Sequence, residues 1–247
     1  NSDRRDILSK SGQFDMELYV SICKNDGLVY LNPRLSNEDY NQYYEKLYDE
    51  QYRPEEMINE EKKKAIKNTI NIHRRIKDHI DLNQVTSICD VGAGMGWTLE
   101  WFKNKYSNIK YIYAIEMSLK CKDYIENDIG GIIISGDAEK YYDQKNIDLF
   151  ISRHSLEHAM NPMSYLSNIY NNISDDGLLY IEVPDMMNFS GRLKKYWFRQ
   201  PHTYYFSKNT LLSILDKVGF EPLIIKEGSN STLWCLLKKN EKNHSEI

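Results

Sequence analysis

The 247-residue chain has only 12 glycines and 6 prolines, which excludes collagen-like and Pro/Gly-rich classes. It has no run of 18 apolar residues, so no membrane span is expected. Neither charge dominates: 32 Lys and Arg stand against 36 Asp and Glu, a net charge of −4. A dedicated nucleic-acid binder would carry a basic footprint. The four cysteines, Cys23, Cys89, Cys121 and Cys235, are far apart and make no Cys-x-x-Cys pair, as in a reduced protein. Residues 1–10 are polar and charged and lack the apolar centre of a secretory signal, so the expected location is cytoplasmic. Apolar residues are not scarce. At 41% hydrophobic and 12% aromatic, the chain can build a core, which excludes a disordered class and suits one large domain or one domain with a small appendage.

The first 55 residues are rich in Tyr, Asn and acidic side chains. Tyr40, Tyr44, Leu47 and Tyr48 recur at helical spacing and predict one packed aromatic face. Residues 27–31, before Asn32-Pro33, read as a short strand ending at a turn. Ala65, Ile66, Thr69, Ile70, His73, Ile76 and Ile80 mark an amphipathic helix over 60–80, with His73 and His79 expected in solvent. Strands and helices then alternate. Strands are predicted at 87–91, 111–115, 131–135, 148–152 and 178–183, with helices at 98–105, 119–128 and 163–173. This is the pattern of βαβ units on a parallel sheet. A helix over 209–218 stops at Gly219, and strands at 221–225 and 232–237 follow. The expected division is a cap or lid at 1–58, a domain at 59–240 and a flexible tail at 241–247.

The strongest motif is Ile88-Cys-Asp90-Val-Gly92-Ala-Gly94-Met-Gly96-Trp97, a buried strand entering a glycine turn and then a helix. Glycine lets a ligand lie on the backbone, and a helix N-terminus offers unpaired N–H groups. Trp97 stands where a dinucleotide fingerprint wants Gly or Ala, and the Gly-Lys-Ser/Thr of a Walker loop is absent. The spacing Asp-x-Gly-x-Gly-x-Gly instead resembles motif I of class I S-adenosylmethionine-dependent methyltransferases. Tyr111-Ile-Tyr-Ala-Ile-Glu116, Gly136-Asp-Ala-Glu139, Asp148-Leu-Phe-Ile-Ser-Arg153-His154 and Asp176-Gly-Leu-Leu-Tyr-Ile-Glu182-Val-Pro184 follow in the family's order, and the resemblance spans residues 85–237. It implies a Rossmann-like α/β fold with a central, mostly parallel seven-stranded sheet and helices on both faces. It also implies S-adenosylmethionine as cofactor. Asp90 and Gly92 would meet its methionine end, Gly94 and Gly96 would allow its approach, and Glu116 would take the ribose hydroxyls. Met117, Asp137 and Ala138 would flank adenine, and Arg153 joins this cofactor set.

His154-Ser-Leu-Glu157-His158 formally fits an inverted zinc-protease motif, but it begins at a strand end inside the methyltransferase pattern. It resembles the Leu-Glu-His found after the fourth strand of that family. Ubiquinone-pathway O-methyltransferases carry Glu-x-x-Glu-His there and hold a divalent cation. The same resemblance makes His154, Glu157 and His158 a candidate metal set, although metal binding is not the expectation.

Methyl transfer from a sulfonium is an in-line displacement that needs alignment, and a hydroxyl acceptor needs its proton removed. Histidine suits that role, and the candidates are His154, His158 and His202. Gln200-Pro-His202-Thr-Tyr-Tyr-Phe206-Ser207 resembles the ending of many small-molecule methyltransferases, on their acceptor side. Trp197, Arg199 and Tyr204 are the expected acceptor contacts, by stacking on a sugar face or pairing with a phosphate. The segment around Cys23, Asn32-Pro-Arg34 and Tyr43-Tyr44 is similar to the front end of methyltransferases encoded with bacterial surface-polysaccharide genes. The reading is methyl transfer to a small polar acceptor, an anionic or sugar-containing precursor of a surface polysaccharide, with no nucleic-acid partner. A phenol or quinone acceptor with a divalent metal is the alternative within the class. A non-catalytic binding partner keeping the fold is the alternative outside it, and the N-terminal segment serves as a lid or a homodimer contact.

Overall fold

A computed structural model describes residues 2–10, 17–42, 44, 57–189, 198, 202–228 and 231–240. Strands β1 (Ser2–Lys10), β2 (Glu17–Cys23) and β3 (Val29–Leu31) come first, then the short helix α1 (Asn37–Gln42) and the long helix α2 (Ile58–Ile76). Alternation follows: β4 (Ser87–Val91), α3 (Trp97–Lys105), β5 (Tyr111–Ile115), α4 (Leu119–Tyr124), β6 (Ile132–Ser135) and β7 (Ile147–Arg153). The chain closes with α5 (Pro162–Asn172), β8 (Ile173–Pro184), β9 (Tyr204–Tyr205), α6 (Lys208–Val218), β10 (Phe220–Gly228) and β11 (Thr232–Lys239).

The main sheet has seven strands in the order β10-β11-β8-β7-β4-β5-β6. Pairs β4–β5, β4–β7, β5–β6 and β7–β8 are parallel, and β11 runs antiparallel between β8 and β10. This is the expected Rossmann-like architecture. The central strands β4, β5 and β7 and residues 177–183 of β8 are mostly apolar and buried because both faces of the sheet are covered there. Alternate residues serve opposite cores. Cys89, Phe150, Leu179, Ile181 and Cys235 pack with α5 and α6 through Leu166, Ile169, Leu211 and Leu215. Ile88, Leu149, Ile151, Tyr180 and Leu236 pack with α2 and α3 through Ile72, Ile76, Leu99 and Phe102. Phe102 and Phe150 are fully buried, and truncating either would cost about 3–5 kcal/mol.

Local signals explain the helix ends. Asn161 caps α5 by accepting from the Ser164 N–H, with Pro162 at the first turn. Ser207 and Thr210 form a capping box on α6, which ends at Gly219 with φ +107°. Helix α4 runs into a wide turn, Ile125–Ile129, so the predicted 119–128 helix is present but changes pitch. Helix α2 stops at Ile76, four residues short of the predicted Ile80. His73 is corrected: it is half-buried, its Nε2 is 2.6 Å from the Tyr106 hydroxyl, and it packs on Trp101. Burial lowers its pKa. His79 is exposed, as expected.

A second sheet has the order β1-β2-β3-β9, all antiparallel. Tyr30 pairs with Tyr204 and Val29 with Tyr205, so the N-terminal segment and the insertion after β8 share one sheet. Val20, Val29, Leu31, Phe198 and Tyr205 form its core. Leu47, Tyr48 and the tail 241–247 lie outside the described residues. Among the described residues, no helix is long and apolar enough to cross a membrane.

Candidate active site

The strand order reverses between β4 and β7. In an open parallel sheet, that switch point opens a crevice beyond the carboxyl ends of the strands. A cleft of about 670 Å³, partly open to solvent, lies there. Gly92, Ile115, Glu116, Met117, Gly136, Asp137 and Ala138 line one part of it, and Tyr40, Tyr44, Glu139, His154, Ser155, His158, Ala159 and Tyr165 line the rest. The glycine loop, the end of β5, the turn after β6 and the turn after β7 therefore share one cavity.

Glu116 is 8% exposed and organises the loop. Its Oε2 accepts from the Gly94 N–H at 2.6 Å and its Oε1 from the Ser118 N–H at 2.8 Å. Each carboxylate oxygen has further acceptor capacity, which suits a vicinal diol. Gly92, Gly94 and Gly96 all have left-handed φ, which penalises any side chain. A Cβ on Gly92 would come within 2.6 Å of Ser155 Oγ. Gly96 has a packing reason as well, because a Cβ there would meet Ile125 and Ile129 at 2.7 and 2.8 Å. Burial and the Glu116 carboxylate push the Asp90 carboxyl up to about 7, against Arg153 and a hydrogen bond with Thr98. Arg153 also approaches Glu182, Nε to Oε1 3.4 Å, and Glu182 is bridged to Arg75 and Tyr180.

The turn after β7 carries the second group. His154 has φ +49°, an uncommon backbone for a non-glycine residue that clusters at functional sites. Its N–H donates to the Glu182 carbonyl, and its Nδ1 lies 3.3 Å from Glu157 Oε1. Glu157 is 1% exposed. Burial raises its pKa, but the hydrogen bond from His154 and the charges of His158, His154 and His202 pull it down to about 2. His158 offers Nδ1 to the Tyr44 hydroxyl at 2.8 Å, and its carbonyl accepts from the Tyr40 hydroxyl. His202 is buried, with its ring 4.8 Å from that of His158.

The structure brings Gly92, Glu116, Met117, Asp137, Ala138, His154 and His158 to one cavity wall, with Asp90, Gly94 and Arg153 adjoining them. His202 packs behind His158 and is not among the lining residues. The Tyr204 hydroxyl meets Arg34 Nη1 at 2.9 Å and the Met160 carbonyl at 3.3 Å. Trp197 and Arg199 lie outside the described residues. Three contributors escaped the sequence reading. Tyr40 and Tyr44 showed a helical pair, but nothing local revealed that their hydroxyls reach His158. Glu139 receives the Met160 and Asn161 N–H groups at 2.5 and 2.7 Å, a long-range contact without a motif.

A Rossmann-like sheet with a glycine loop, an acidic β5 end and a cavity at the switch point defines the methyltransferase fold. The chain belongs to the methyltransferase-domain family, whose profile matches residues 40–224, and its cofactor is S-adenosylmethionine. The residues fit that group: a buried carboxylate faces the cavity and the loop admits backbone approach. No curated protein matches the sequence significantly. Solved structures share the fold. An S-adenosylmethionine-dependent methyltransferase from Mesorhizobium loti is 14% identical, with TM-score 0.57 over 67% of this chain and 96% of its own. Mitomycin 7-O-methyltransferase MmcR is 12% identical, with TM-score 0.54 over 65% of this chain and 50% of its own. LepI in complex with SAM is 10% identical, with TM-score 0.53 over 68% of this chain and 46% of its own.

Proposed function

We propose that the chain methylates a hydroxyl of a small polar acceptor, a sugar or nucleotide-linked precursor of a surface polysaccharide, with His154 as the base. The observation that carries this reading is the continuity of one cavity from the glycine loop to the His154–Glu157 pair. The bound cofactor supplies a methyl group on a sulfonium. Glu116 and the glycine loop hold the donor, and the Tyr40, Tyr44 and Tyr165 side chains narrow the acceptor side. His154 takes the hydroxyl proton as the oxygen attacks, and Glu157 orients the imidazole and offsets its charge. His158 and His202 support this turn. The acceptor wall is built of hydroxyls, imidazoles and Glu139, a lining suited to sugar hydroxyls. Arg199, which lies outside the described residues, is the proposed contact for an anionic group of the acceptor. Residues 1–58 act as the cap over this cavity in the same reading, with self-association through that segment and a cytoplasmic location.

The test is His154→Ala, assayed against a panel of nucleotide-linked sugars with S-adenosylhomocysteine calorimetry in parallel. Turnover should fall at least about 100-fold while cofactor affinity holds. An unchanged rate would remove His154 as the base. Methylation of phenols alone would replace the sugar acceptor.

A further inference from the structure

Behind the acceptor wall, two distant segments bring three donors together. Glu157 and His158 come from the turn after β7 and His202 from the insertion after β8. One ligand atom from each lies within 4.8 Å of the other two. We propose that Glu157, His158 and His202 bind one divalent transition-metal ion of the zinc class.

The carboxylate is the first argument. Glu157 Oε1 is engaged by His154, whereas Oε2 is buried and accepts no hydrogen bond among the described residues. A buried oxygen without a donor is costly, and a cation removes that cost. The second argument is orientation. His158 Nδ1 is held by the Tyr44 hydroxyl, and its Nε2 lies on the carboxylate's side, 3.9 Å from Glu157 Oε1. A hydrogen bond on one imidazole nitrogen is how metal-binding histidines are fixed to present the other. The third is backbone anchoring, since the Thr203 N–H donates to the Glu157 carbonyl at 2.9 Å and pins the insertion beside the turn. Two imidazoles and one carboxylate suit zinc or cobalt better than magnesium, and as three protein donors they leave a position for an exogenous oxygen. The set differs from the His154, Glu157 and His158 of the sequence reading: His154 pairs with the carboxylate, and His202 replaces it. The catalytic consequence rests on the proposed hydroxyl acceptor, whose pKa an adjacent ion would lower. The site itself does not.

The test uses tag-free, chelator-treated full chain titrated with Co²⁺, read by its ligand-field absorption, with Zn²⁺ competition and Mg²⁺ as control. S-adenosylhomocysteine calorimetry on each sample confirms folding. Stoichiometric Co²⁺ uptake, displaced by Zn²⁺ and not by Mg²⁺, is expected. His202→Ala and Glu157→Gln should each weaken it at least about 100-fold and Tyr44→Phe about tenfold, while His154→Ala leaves uptake in place. No Co²⁺ uptake by folded wild type overturns the site, as does uptake that survives His202→Ala. Uptake by a protein that methylates no hydroxyl would uphold the site and sink the proposed acceptor. Hydroxyl methylation undiminished in protein that takes up no metal would do the reverse.

Discussion

At the residue scale, single carboxylates govern the cavity. Glu116 satisfies two backbone N–H groups and faces the cofactor space, so Glu116→Ala should weaken S-adenosylhomocysteine binding by about 1.5–3 kcal/mol, read by calorimetry. Unaltered affinity would reassign the carboxylate to loop support alone. Asp90 makes a pH prediction with a definite sign. Its folded pKa of about 7 lies above the roughly 3.9 of an unfolded aspartate. Between those values the folded chain holds a proton that the unfolded chain has released. Stability therefore falls as pH rises through about 4 to 7, with a slope of up to about 1.4 kcal/mol per unit from this group. Urea unfolding across that window should show the slope in wild type and its loss in Asp90→Asn. Equal slopes would place the proton elsewhere.

At the element scale, the glycine loop and the turn after α4 are fitted to each other. Helix α3 starts at a left-handed Gly96 that has Ile125 and Ile129 against its missing side chain. Gly96→Ala should lower stability by about 1–3 kcal/mol through overpacking, on top of the backbone strain. A denaturant midpoint indistinguishable from wild type would show that the loop moves aside freely. The strands and helices of the βαβ region were legible because their periodicity is local, as is the stop at Gly219 after Val218; the caps at Asn161 and Ser207 are local too, but show only in the structure. Helix α2 ended early because Ile80 fits the apolar spacing without being helical. Spacing does not encode where a backbone turns.

At the scale of the whole molecule, the N-terminal segment is tied to the acceptor side. Arg34 Nη1 donates to the Met160 carbonyl at 2.8 Å and to the Tyr204 hydroxyl at 2.9 Å, while Tyr40 and Tyr44 reach His158. Arg34→Ala should loosen that clasp, and cofactor affinity should fall about 3- to 10-fold with the cooperative unfolding of the main sheet retained. Calorimetry beside circular dichroism separates the two effects. Unchanged affinity would mean that the segment covers the cavity without closing it.

The succession of main-sheet strands along the chain, the glycine loop, Glu116 and the His154–His158 turn could all be read from the chain alone. Each is written in residues that are neighbours in sequence or recur with a fixed period. Strand β9 could not, because it has only two residues to show and its partner β3 lies far along the chain. The same holds for the clustering of Glu157 and His158 with His202, for the Tyr44–His158 contact, and for the raised pKa of Asp90. Those depend on burial and on distances between remote segments, which exist only once the sheet has closed.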